Sequence, residues 1–227
     1  MAMLYILMAK NRVCDRAQHI QIWCSSLTHN YYSRAGLSMP VTIALELSVE
    51  RYYAKEVLRA ILQSIMFHRT LSNTRPIDVH LDSLNITYAC LDDKEIQVMI
   101  EERLSELFSQ IESQIQTSSD KIKGSVMFFE RKTKKSWFTK ADEDICWEKW
   151  DITLTPTQAL TEQLQIQAHA LLVKSFEECL VKISDKANEE KDHIPPMLTS
   201  EPFPCQITLT LQLATFWNTI TNLIPTS

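Results

Sequence analysis

VTIALELSVERYYAKEVLRAILQSIMFHR, Val41 to Arg69, changes its hydrophobic period halfway along, and that change decides the fold class. In the first part Val41, Ile43, Leu45, Leu47 and Val49 alternate with Thr42, Ala44, Glu46 and Ser48. This is the period of two of a half-buried strand. After Arg51 the apolar positions become Ala54, Val57, Leu58, Ile61, Leu62, Ile65 and Met66, spaced as one stripe along a helix. His68 and Arg69 close it with positive charge, which suits the negative end of a helix dipole.

Downstream, Thr70 to Ser83 has few periodic apolar positions and reads as a loop or weak hairpin, followed by a short strand from Leu84 to Leu91. Asp92 and Asp93 are placed to cap a second helix with Ile96, Met99, Ile100, Leu104, Leu107, Phe108, Ile111 and Ile115 on one face. A polar connector, Gln116 to Lys123, leads to an aromatic strand from Gly124 to Arg131. A charged tip, Arg131 to Asp144, turns the chain into a second strand from Ile145 to Thr155. Pro156 stands where a third helix could begin; Leu160, Leu164, Ala168, Leu171, Leu172, Phe176, Cys179, Leu180 and Ile183 mark its apolar face. Lys186 to Pro204, with four prolines, reads as a loop, and Ile207 to Leu213 as a last strand. Three helices separating strands that include an antiparallel hairpin do not repeat as βαβ units. The expectation is an α+β fold, a mixed or antiparallel sheet packed against three long helices.

Composition bounds the function. At 227 residues, 45% of them hydrophobic, the chain is long enough for one real core. A net charge of -5 gives no general attraction to phosphate backbones, so nucleic acid is not expected as a principal partner. With two glycines there is neither a Walker A loop nor a dinucleotide fingerprint, and no GxSxG or HExxH appears. No catalytic residue, metal site or cofactor is therefore expected. The six cysteines lack ligand spacing and read as reduced thiols of a cytoplasmic protein, and no apolar run approaches a transmembrane length. Asp142, Glu143 and Asp144 read as solvated surface. The sequon at Asn85 falls in the strand expected there.

Residues 1–38 carry four basic residues, Lys10, Arg12, Arg16 and Arg34, against one acid, Asp15. They read as an appendage, either a floppy extension or an upstream start with Met39 as the initiator; a basic leader of mitochondrial type is an alternative. The expected body runs over 39–215 and a tail over 216–227.

The residues that point to chemistry are Trp137 and Phe138. They follow the basic run Arg131, Lys132, Lys134 and Lys135 at the hairpin tip. Two large aromatics on a polar tip either fold back onto the core or serve as an exposed protein-binding anchor.

The segments LELSVERYYAKEVLRAILQSIMFHR (Leu45 to Arg69) and FFERKTKKSWFTKADEDICWEKW (Phe128 to Trp150) resemble the autophagy-related protein 101 family, as do HIPPM (His193 to Met197) and the strand Cys205 to Leu213. The resemblance covers roughly residues 41–213. It implies a HORMA fold and a non-catalytic scaffold of the autophagy-initiation kinase complex, found in the cytoplasm and at the preautophagosomal structure. It also implies a heterodimer with the HORMA protein autophagy-related protein 13 and recruitment of downstream autophagy factors through a Trp-Phe finger that maps to Trp137 and Phe138. The family often has a proline between the two aromatics; here they are adjacent. Related HORMA dimers use the helix corresponding to Pro156–Ile183, which makes Gln165 and His169, off the main apolar stripe, candidates for the partner face. The alternative is a peptide-trapping HORMA adaptor of checkpoint or meiotic type. The 14 residues after Leu213 reach at most roughly 46–50 Å, short for a complete belt around a peptide.

Overall fold

The computed structural model describes residues 39–71, 74–113, 120–135, 140–158, 161–189, 191–197 and 201–213. The N-terminal extension 1–38, the tail 216–227 and both finger aromatics lie outside them. The description concerns the unit formed by Pro40–Pro195 and Thr199–Ser227.

Strand β1 (Val41–Glu50) buries Ile43, Leu45, Leu47 and Val49 and exposes the residues between them, as its alternation requires. The chain turns through Arg51 to Tyr53 into α1 (Ala54–Arg69). Burial on α1 extends well beyond the single stripe, to Ala60, Ser64 and Phe67, because other elements pack on several of its sides. It is the central helix of the core.

The stretch after α1 is an ordered hairpin, β2 (Pro76–Leu81) paired antiparallel with β3 (Ile86–Leu91). Asn85 sits in the turn between them at φ 52°, not in the strand expected from its sequence. Asparagine tolerates this left-handed conformation because its short polar side chain can bond locally. The hairpin is tied to α1 by Ser83 Oγ donating to Glu56 and by the Tyr88 hydroxyl donating to Gln63.

Helix α2 (Lys94–Ser113) is capped by Asp93, whose Oδ1 accepts from the amides of Glu95 at 3.0 Å and Ile96 at 3.2 Å. It buries Ile100, Leu104, Leu107 and Ile111, and an ion pair between Arg59 and Glu101 joins it to α1.

Strands β4 (Lys121–Lys135) and β5 (Lys140–Thr157) form one long antiparallel hairpin. The charged stretch from Arg131 to Asp144, expected to be a tip, is mostly ladder. Arg131 stands opposite Asp144 and Lys132 opposite Glu143, so opposite charges face each other across the strands. A backbone ladder can continue in such a run without apolar alternation. Pro156, expected at the start of a helix, instead lies in β5, one residue before its end, opposite Val49. The β4 pairing stops at Leu154, so beyond it β5 pairs only with β1 among the described residues and tolerates a residue without an amide hydrogen.

Helix α3 (Glu162–Glu189) therefore starts and ends later than its periodicity suggests; Thr161 Oγ1 accepts from the Leu164 amide. Its buried residues are Leu172, Phe176, Cys179, Ile183 and Ala187. Strand β6 (Cys205–Gln212) completes a four-stranded sheet of order β1-β5-β4-β6, in which β1 and β5 are parallel and the other pairs antiparallel. The helices line one side, with α2 beside β6, α1 between, and α3 beside β1. Lys182 Nζ donates to the Ala44 carbonyl at 2.8 Å, covering part of the β1 edge. Replacing Asp93 by Ala removes the α2 cap; stability measured by urea unfolding is expected to fall by about 1 kcal/mol, with Asn retaining most of it.

Candidate protein-binding surfaces and the buried network

Every residue from Thr161 to Gln167 is exposed, so the first turns of α3 stand clear of the body. Leu164, Ile166 and Leu171 are 49%, 66% and 68% exposed. Leu164 and Leu171, expected in the buried stripe, are surface residues: two turns apart, they share one face, and Ile166 lies on the opposite side. Gln165 is exposed among them. His169 is half-buried; its Nε2 lies 3.1 Å from the Ser83 carbonyl and its ring packs against Tyr53 at 5.5 Å. Tyr52, 81% exposed, packs edge-on against Tyr53. Rings thus link the β1–α1 turn to α3 at the helix's exposed end.

The second candidate, Trp137 with Phe138, lies between the last paired residues of the hairpin, Lys135 opposite Lys140. The strands leading to it form an arm. The β6 pairing ends at Phe128 and the β1 pairing begins at Glu148, so beyond those points β4 and β5 pair only with each other among the described residues. At that boundary the β4–β5 register shifts between Phe128 and Phe129.

Beside this boundary is a cluster that periodicity does not reveal. The Glu148 carboxylate is wholly buried. Arg69 Nε donates to it at 2.7 and 2.9 Å, His193 Nε2 lies 2.8 Å from Oε2, and the Trp150 indole N–H donates to Oε1. Arg69 Nη1 also donates to the Ala187 carbonyl at 2.9 Å. Burial raises the Glu148 pKa, but the hydrogen bonds from His193 and Arg69, the Arg69 charge and the Trp150 N–H outweigh it and hold the carboxyl below its ordinary value. Trp147 packs on Phe128, Phe203 and His193. The sequence signal was present in FHR, WEKW and HIPPM, but nothing in their spacing says that they meet.

Among the described residues no three His, Cys, Asp or Glu side chains gather as metal ligands. Burial pushes the Cys179 thiol up to about 11 and also raises Cys90, Cys146 and Cys205, which leaves these sulfurs poor nucleophiles at neutral pH. A cleft of about 160 Å³ lined by Arg103, Glu106, Gln206, Ile207, Thr208 and Leu209 is smaller than ordinary small-molecule pockets of roughly 300–1,000 Å³. No described helix is long and apolar enough to cross a membrane.

A model of the family described as Autophagy-related protein 101 matches residues 46–201, more than half of the chain. The chain belongs to the autophagy-related protein 101 family. Proteins of that name are similar to it in Arabidopsis thaliana, 34% identical over 67% of this chain and 78% of the relative, and in Schizosaccharomyces pombe, 30% identical over 74% and 86%. That of Xenopus laevis is 24% identical over 68% and 75%. Membership in the autophagy-related protein 101 family assigns the chain a role in autophagy, and the observed mixed sheet with its three described helices is the HORMA-like fold of that family.

Replacing Glu148 by Ala removes the carboxylate that pairs with the buried Arg69 guanidinium, and chemical denaturation is expected to show a loss of about 3–5 kcal/mol. The lowered folded pKa sets the sign with pH. The stabilisation from the ionised carboxylate is complete above the ordinary value of 4.5 and is lost as pH falls through the folded value. Thermal melts on acidification should therefore decline less steeply for Glu148→Gln than for wild type.

Proposed function

We propose that the chain is a non-catalytic scaffold of the autophagy-initiation kinase complex, acting in the cytoplasm and at the preautophagosomal structure. It binds the HORMA protein autophagy-related protein 13 through the exposed end of α3 and recruits downstream factors through Trp137 and Phe138. The observation that carries this reading is the exposure of Leu164, Ile166 and Leu171 on a helix end that stands clear of the body. Leu164 and Leu171 on one face and Ile166 on the other are apolar side chains held in water at a cost that a partner gripping the helix end would recover, and such side chains ringed by polar groups are the usual centre of an interface. Gln165 supplies a polar contact among them. His169, bonded to Ser83 and packed on Tyr53, fixes the helix end against the hairpin turn, so its substitution would act on the geometry of the face as well as on contacts.

Calorimetry with purified autophagy-related protein 13 HORMA domain tests the surface. Leu171→Asp combined with Gln165→Arg is expected to weaken binding at least about 30-fold, equivalent to about 2 kcal/mol, with an unchanged melting temperature. Unchanged affinity would remove this face from the interface. For the finger, Trp137→Ala with Phe138→Ala should leave the melting temperature and the heterodimer intact while autophagosome formation in cells falls. A collapsed melt would instead assign the two aromatics to the core, where each truncation costs about 3–5 kcal/mol.

A further inference from the structure

The arm formed by the outer parts of β4 and β5 poses a mechanical problem. A two-stranded hairpin alone is marginally stable in water, and this one extends seven residues past its last β6 partner, from Phe129 to Lys135. At about 3.4 Å per residue that is a lever of roughly 24 Å, so a tilt of about 10° at its root would move its end by roughly 4 Å. Whatever aims the arm must act at the root.

The contacts at the root come from the chain between α3 and β6. The Pro204 carbonyl accepts from the Phe129 amide at 2.9 Å, at the register shift. Phe203 packs on Trp147 at 5.2 Å, and His193 packs on the same ring at 5.5 Å. Among the described residues Trp147 Nε1 is buried with no acceptor, and its ring packs on Phe128, Phe203 and His193. One residue on, Glu148 pairs with Val41 as the first β5 residue joined to β1. His193 reaches Glu148 Oε2 at 2.8 Å, and because a carboxylate only accepts, Nε2 carries the proton of that bond. The imidazole thus touches both consecutive residues at which β5 leaves the sheet and becomes the arm.

We infer that His193 is a positioning residue for the finger: its bond to Glu148 and its packing on Trp147 fix the root of the β4–β5 arm, the described strands of which lead along the chain to Trp137 and Phe138. This role rests on the reading of those two aromatics as recruiting anchors. It differs from the role of Arg69, which neutralises Glu148 and ties it to α1 and α3, and whose removal would unsettle the core as a whole. His193 approaches from the other side of the carboxylate, and without it Glu148 keeps Arg69 and the Trp150 N–H.

Hydrogen exchange by mass spectrometry on the full chain, beside an autophagosome-formation assay in cells, tests the inference. His193→Ala is expected to speed exchange in Phe129–Lys135 and Lys140–Trp147 roughly tenfold or more, the ratio that loss of one charge-assisted hydrogen bond implies. Protection of α1 and affinity for autophagy-related protein 13 should be retained, and autophagosome formation should fall toward that of the Trp137→Ala, Phe138→Ala variant. His193→Gln, whose amide keeps a donor near the Nε2 position, should recover both readouts in part. Unchanged arm exchange would overturn the inference, and equal acceleration in α1 would make His193 a general stabiliser. Normal autophagosome formation with a loosened arm would also overturn it. If the double alanine variant itself supports normal autophagosome formation, the finger reading fails and the positioning role with it, while the exchange result still reports whether His193 holds the arm.

Discussion

A carboxylate with no exposure to water must be neutralised where it stands, and the Glu148 side chain imposes that requirement on four separate parts of the chain. Arg69 ends α1, Ala187 lies near the end of α3, Trp150 is on the same strand, and His193 follows α3. None of these groups can move far without leaving a charge or a donor unpaired in the core. Apolar packing alone would tolerate small slides of helix against sheet; directional bonds converging on two oxygens do not. Arg69 is also well placed for its own helix, since a cation at the last turn meets the negative end of the dipole. The network therefore acts as a fixed point for the fold.

The two candidate surfaces are arranged around that point through α3. Near its C-terminal end the Ala187 carbonyl bonds Arg69, and through it the root of the arm. Some 23 residues earlier the helix exposes Leu164. At 1.5 Å per residue the two points are about 35 Å apart, so the exposed apolar end of α3 lies well away from the root of the arm.

The departures from sequence expectation share a cause. Arg131 to Lys135 was read as a tip because charge suggests solvent, but β4 and β5 pair there by backbone bonds and opposed charges that need no buried face. Leu164 and Leu171 continued a helical stripe that stops being a core stripe where the helix passes beyond its neighbours. Pro156 resembled a helix start, yet it occupies a place on β5 where one neighbour has already been lost. Asn85 looked like a strand residue but supplies a turn. In each case the meaning of the local pattern depended on what lay beside it.

Periodicity alone was enough to define β1, α1, the capped α2, the aromatic hairpin and β6, because each has one face whose burial is written in its spacing, and the α+β class follows from their order. The Trp-Phe pair stands out in the sequence as large aromatics amid charge, and it lies outside the described residues. The tertiary structure alone decided that FHR, WEKW and HIPPM converge on one carboxylate, that α3 has an unburied apolar end, and that the hairpin becomes an arm. The reason is distance along the chain: Arg69, Glu148 and His193 are separated by 79 and 45 positions, and no periodic signal reaches so far. Short-range spacing encodes which face of an element is buried, but which elements meet, and which charge meets which, is settled only when the core closes around them.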